Sequence, residues 1–174
     1  MTIIGKPEAS EYGEFFAGYV SKVDSENIIE YLDHQVEDLQ QTLDGLSNAQ
    51  ASDIHSPYTW SLKQLMGHLI DGEKVFGYRL HRFACNDSTP LPGFDHEPYV
   101  DNLDYSNVLL SALVDEWSNL RKSNVLFLQR LPEGASQRKG TASDTEFTVR
   151  SQAFVIGGHV QHHLEIMKKR LADA

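Results

Sequence analysis

An all-α four-helix bundle is the architecture that this 174-residue chain predicts. Three observations lead there. Four long segments repeat apolar residues at three- and four-residue spacing, the period of a helix with one buried face. Pro- and Gly-containing stretches separate them, and little strand-like alternation appears between. A hydrophobic fraction of 40% with 23% charged residues is that of a globular chain long enough for one full core.

The first predicted helix covers residues 24–46. Ile28, Ile29, Leu32, Val36, Leu39 and Leu43 form its stripe, Asp24 or Ser25 can cap it, and Gly45 lies near its end. The second covers residues 61–84. Ser61 and Gln64 form a capping box, each side chain meeting a free backbone N–H of the other. Trp60 precedes the cap, and Leu62, Leu65, Leu69, Phe76, Leu80 and Phe83 make the stripe. The third covers residues 106–131, with Leu109, Leu110, Leu113, Trp117, Leu120, Val125 and Leu128 inward, and Pro132-Glu133-Gly134 stops it. The fourth covers residues 148–172 and ends in Lys168-Lys169-Arg170, which complements the helix dipole.

Residues 1–23 are expected to be an arm anchored by Tyr12, Phe15, Phe16 and Tyr19, and residues 24–174 the bundle domain. The polar connection 47–60 contains Pro57. The connection 85–105 holds Pro90, Pro92, Gly93 and Pro98 and is long enough to cross the bundle, so the second and third helices need not be antiparallel neighbours.

The net charge is −10, concentrated early: residues 1–60 carry eleven acidic residues against Lys6 and Lys22. That disfavours nucleic-acid or anionic-membrane partners, which need a basic face. No apolar run spans a bilayer and no basic-then-apolar leader begins the chain, so a cytoplasmic protein is expected. One cysteine, Cys85, excludes a disulfide framework or a Cys-rich metal site.

Function is concentrated in the histidines. His159-Val160-Gln161-His162-His163 contains the sole His-x-x-x-His spacing. Residues four apart stack on one helical face, where two imidazoles can grip one metal ion. On a helical projection His163 falls within the apolar sector of Val149, Ala153, Ile156, Val160, Met167 and Leu171, His159 on its flank, and His162 further out. His68, at the edge of the second helix's stripe, is the candidate third ligand. Gly67 precedes it as Gly157-Gly158 precede His159, which suggests close approach at both places. Glu73, on the apolar side of the second helix, could orient a ligand, accept a proton, or simply pair with an arginine such as Arg79 or Arg82. His81 and Cys85 are a weaker pair, Cys85 being expected as a small buried hydrophobe. His34, His55 and His96 lack partners at useful spacing. No Glu-x-x-His, His-Glu-x-x-His, Gly-x-Ser-x-Gly, P-loop or dinucleotide motif occurs.

Three longer stretches carry a family resemblance. Residues 60–73, from Trp60-Ser61-Leu62 through Gly67-His68 to Gly72-Glu73, resemble the second-helix signature of the DinB-like family in its YfiT-like branch. Pro90-Leu91-Pro92-Gly93-Phe94-Asp95 resembles its crossing loop, and residues 156–163 its final-helix signature. The resemblance implies an up-down-down-up bundle, a homodimer, and a divalent metal, zinc or nickel, on His68, His159 and His163. It implies a metal-dependent enzyme acting on a small molecule, either a hydrolase or an S-transferase using a low-molecular-weight thiol such as bacillithiol or mycothiol. Three neutral imidazoles leave a divalent ion with an open position. The alternative is a non-catalytic scaffold in which the metal only ties two helices together. Asp95, Tyr99 and Arg150 are further candidates to line the site.

Overall fold

The computed structural model describes residues 3–173. The short helix α1 (Ala17–Val20) ends the arm. The four long helices are α2 (Ile28–Leu43), α4 (Leu62–Ala84), α6 (Leu110–Gln129) and α7 (Val149–Ala172). Two short helices, α3 (Asn48–Ser52) and α5 (His96–Asp101), lie in the connections, and a hairpin of β1 (Lys139–Ala142) and β2 (Thr145–Thr148) precedes α7.

The caps explain where the helices start. Ser61 and Gln64 close the expected capping box on α4, and Thr148 with Ser151 closes another on α7. Two expected starts move. α2 begins at Ile28 because the Asn27 side chain takes the Ile29 N–H, while the Ile28 N–H is drawn to the Ile4 carbonyl of the arm. α6 begins at Leu110, four residues beyond the expected start. Asp104 accepts the Ser106 N–H in a local turn, and Asn48 of α3 accepts the Leu110 N–H.

The path is read from which residues meet. α4 and α6 run parallel: Lys74 pairs with Glu116, and Gly77 packs on Asn124. α4 and α7 run antiparallel, His68 meeting His163 and Gly72 meeting His159. α2 runs parallel to α7, with Ile28 on Gly157 and Tyr31 bonded to Gln161, and antiparallel to α6. The order is therefore up-down-down-up. Parallel neighbours α4 and α6 require a connection that returns along the bundle, which is the work of residues 85–109.

The interior has two apolar clusters. On every long helix the change from one to the other comes at the same level. It falls between Leu32 and Val36 on α2, Ile70 and Phe76 on α4, Trp117 and Val125 on α6, and Ile156 and Val160 on α7. The residues at that level are polar. Glu73 pairs with Arg121, which is fully buried, and accepts from Asn124 at 2.7 Å. Arg121 donates to Gln35 at 2.6 Å, and Gln35 donates to the Gly157 carbonyl at 3.0 Å. Glu73 does pair with an arginine, but with Arg121 rather than Arg79 or Arg82. Parallel packing of α6 on α4 presents Arg121 inward at that level, whereas Arg82 points outward to Asp87.

The expectation of little strand holds: one short hairpin is the whole of the described sheet. Its strands are four residues each, joined through Ser143 and Asp144, both at positive φ (51° and 56°) in the manner of a tight hairpin turn. Leu91 of the long connection hydrogen-bonds to Thr141 and Ser143, so the hairpin pins that connection in place. No described helix is long and apolar enough to cross a membrane.

The arm is held by charge. Arg150, in the first turn of α7, makes a two-point contact with Glu11, and Thr148 Oγ1 donates to the same carboxylate at 2.7 Å. Burial alone would raise the Glu11 pKa, but Arg150, Thr148 and the Glu8 N–H override it and hold it at about 2. Because the folded value lies below the unfolded one, this stabilisation is complete above about pH 4.5 and lost as pH falls toward about 2. Equilibrium denaturation across that window should show stability falling with acid, with a flatter profile for Glu11→Gln. An unchanged slope in the variant would contradict the assignment.

Candidate metal centre

α4 and α7 each bring histidines to one point just beside the polar layer. His68 Nε2 lies 2.9 Å from His159 Nε2 and 3.1 Å from His163 Nε2, and the three ligand atoms all fall within 4.8 Å of one another. Nitrogens about 2.0–2.1 Å from a single ion are separated by roughly 3 Å when their bonds are near right angles, so these spacings suit one ion. His68 and His159 are buried (7% and 5% exposed), and His163 is half-buried. The helical projection had these two reversed, with His163 deeper. α1 lies across the His159 side of α7 and buries it: Tyr19 meets the His159 ring edge-on at 5.6 Å.

Burial, more than any neighbouring charge, depresses the basicity of all three rings. It holds His68 at about 4 and His163 at about 3, with His159 well below its usual value. All three are neutral at neutral pH, and neutral imidazole is the ligand form. Buried Nδ1 atoms of His68 and His163 find no protein partner. With the protons on Nδ1, all three Nε2 lone pairs converge with no hydrogen between them. That arrangement is repulsive when empty and favourable around a cation, so the donor set fits a divalent metal ion.

Two glycines make room for the convergence. A Cβ on Gly72 would stand 2.9 Å from the His159 ring, and one on Gly158 would collide with the Tyr19 carbonyl at 1.9 Å. Gly67 likewise admits Tyr105, so the glycines beside the histidines do mark close approach, though by neighbouring elements rather than by a ligand.

A cleft of about 590 Å³ opens over the trio. Its walls are Phe15, Phe16 and Tyr19 from the arm, Trp60 and Phe76 beside α4's histidine, Phe94 and His96 from the long connection, and Ser143 and Thr145 from the hairpin. His96 stands 5.2 Å, ring to ring, from His68 and was missed because α5 brings it from a connection with no sequence spacing to His68. His162 lines the cleft beside His163 instead of joining the trio. Asp95, Tyr99 and Arg150 do not line it: Asp95 caps α5, Tyr99 packs on Phe94, and Arg150 holds the arm. His81 and Cys85 approach to 3.8 Å, but Cys85 is exposed, not a buried hydrophobe, and the pair offers only two donors. His34 is exposed and His55 bonds to Asp53.

Comparison with known proteins agrees with the geometry. The sequence profile of the DinB superfamily matches residues 31–167, which include all three histidines, the whole of α4 and α6 and most of α2 and α7. This chain belongs to the DinB superfamily. Among DinB relatives, a protein of Oceanobacillus iheyensis named as a "putative metal-dependent hydrolase" is 25% identical over 157 residues. The match covers 87% of this chain and 90% of that one. The structure of YfiT from Bacillus subtilis, described as "a probable metal-dependent hydrolase with an unusual four-helix bundle topology", superposes with a TM-score of 0.72 at 16% identity. It covers 96% of this chain and 93% of that one. The DinB bundle and its unusual topology are thus shared, and the helix directions derived above account for it.

Proposed function

We propose that this DinB protein is a metal-dependent enzyme, in the first place a hydrolase, with a divalent ion held by His68, His159 and His163. The observation that carries the reading is three convergent neutral imidazole nitrogens at the floor of an open cleft. A divalent ion held by three imidazoles supplies a Lewis acid with positions left for a water, a thiol or a substrate oxygen.

The chain's own residues supply the rest. Tyr19 and Phe76 meet the His159 ring edge-on at 5.6 and 5.4 Å and exclude bulk water from that side. Trp60 packs on His68 at 5.4 Å and holds the ring toward α7. His96 and His162 bring further imidazole nitrogens to the cleft wall. The names of the relatives favour hydrolysis. A second reading, transfer of a low-molecular-weight thiol, is favoured by one specific feature: among the described residues, no Asp or Glu lines the cleft. Water commonly needs a carboxylate base beside the metal, whereas a thiol ionises readily on the metal alone.

The test loads the protein separately with zinc and with nickel. It then measures turnover of aryl esters and amides, and conjugation of small thiols to an electrophile. Hydrolysis that chelator removes and metal restores is the expected result, and conjugation alone would select the thiol reading. A protein that binds about one metal ion yet turns over none of these would leave the metal as a tie between α4 and α7.

A further inference from the structure

The buried arginines differ in their partners. Arg121 has Glu73, and Arg170 donates from both terminal nitrogens to the Trp60 and Asp53 carbonyls. Arg79 is 3% exposed and has no acidic partner among the described residues. Its Nη2 donates to the Pro92 carbonyl and to Ser143 Oγ, each at 3.0 Å; its Nε and Nη1 have no hydrogen-bond partner among the described residues. Burial pushes its pKa below the usual guanidinium value. A charge so placed is unfavourable unless something paired with it is missing.

Arg79 lies on the cleft wall. Its guanidinium sits 5.8 Å from the ring centres of both Phe76 and Phe94, and Phe76 is the ring that also touches His159. A single aromatic residue therefore separates the unpaired cation from the histidine trio. The long connection, through Pro92, and the hairpin turn, through Ser143, take both Nη2 hydrogens and leave those of Nε and Nη1 to a ligand. In a chain of net charge −10, no carboxylate of the described residues lines this cleft to compete.

We propose that Arg79 is the anion-recognition residue of the cleft, and that the molecule taken there carries a carboxylate on an apolar or aromatic body. A free Nη1 hydrogen can meet a carboxylate oxygen in a charge-assisted hydrogen bond, and the flanking rings take the apolar part. The carboxylate docks at Arg79 with the reacting group over the trio. This deepens the proposed function and rests on the cleft being the reaction site.

Binding, not turnover, tests it. Benzoate and benzamide have the same ring and nearly the same shape and differ in charge. Titrated into the metal-loaded full-length protein and followed by ligand-observed NMR, benzoate is expected to bind roughly ten- to a hundredfold tighter. In Arg79→Met that preference should fall about tenfold or more, to whatever the metal ion alone gives, and in Arg79→Lys part of the lost preference should survive. Metal content and melting temperature are measured on all three proteins. If Arg79 only ties α4 to the loop and hairpin, its loss lowers the melting temperature while the preference for benzoate persists. An undiminished preference in Arg79→Met, or no preference in the wild type, overturns the proposal. Tighter, Arg79-dependent binding of phenyl phosphate would overturn the carboxylate assignment. A protein that discriminates benzoate through Arg79 but turns over no substrate would sink the enzymatic reading and leave Arg79 as the anion-recognition residue of a binding cleft.

Discussion

His159→Ala is expected to reduce the affinity for zinc or nickel by at least about a hundredfold, since loss of a mere supporting contact to a ligand already costs 10- to 100-fold. His159 is the deepest of the trio, ringed by Tyr19 and Phe76 and reached through the gap at Gly72. Competition with a chelator of known affinity measures the loss. His162→Ala is the control, because that ring flanks His163 from the cleft wall and stands outside the trio. Equal metal affinity in His159→Ala and wild type would remove the metal centre from the account. The metal should also raise the melting temperature of the wild type, since an ion bound only by the folded state stabilises it by mass action.

Glu73→Ala is expected to cost about 3–5 kcal/mol of stability, the usual effect of removing one partner of a buried ion pair. Arg121 is fully buried; its remaining hydrogen bonds are to Gln35 and the Leu32 carbonyl and its remaining ring contact is to Trp117, none of which carries charge. For a chain of this size that loss lowers the melting temperature by roughly 6–20 °C. The double variant Glu73→Leu/Arg121→Met should recover most of it, because two apolar residues leave no uncompensated charge. Denaturant melts of the two variants decide the matter. A loss below about 1 kcal/mol in Glu73→Ala would show that the layer is not closed as described. If Glu73 were instead a proton acceptor in the reaction, the substitution would abolish turnover in protein that remained folded and metal-loaded.

The polar layer shows what a one-dimensional reading misses. The apolar stripes of α2, α4, α6 and α7 are interrupted at Gln35, Glu73, Arg121 and Gly157, and each interruption alone looks like an ordinary edge position. Only the parallel pairing of α4 with α6 brings Arg121 against Glu73, 48 residues away. The sequence alternatives for Glu73 were arginines on its own helix, because local spacing is the only distance a sequence displays. His96 and Arg79 were passed over for the same reason. Their significance depends on a connection and a hairpin turn that fold back over α4. The hairpin itself is too short for strand periodicity to reveal, and its turn residues, Ser143 and Asp144, are common in any loop.

Local rules were enough for the helices. Capping at Ser61 is a three-residue pattern, and amphipathic stripes repeat within each segment, so the four helices and their inner faces were legible. The pair His159 and His163 was legible too, since one helical turn sets their separation whatever the rest of the chain does. The third member, His68, was a candidate by its place on an apolar face beside a glycine. The sequence by itself determined four helices, their buried faces and a metal-ready pair on the last of them. The tertiary structure decided the rest: that α4 delivers His68 to that pair, that the arm buries His159 deeper than His163, and that an unpaired arginine stands one ring away. Those outcomes depend on helix order and direction, which arise from packing between distant segments and leave no mark in local spacing.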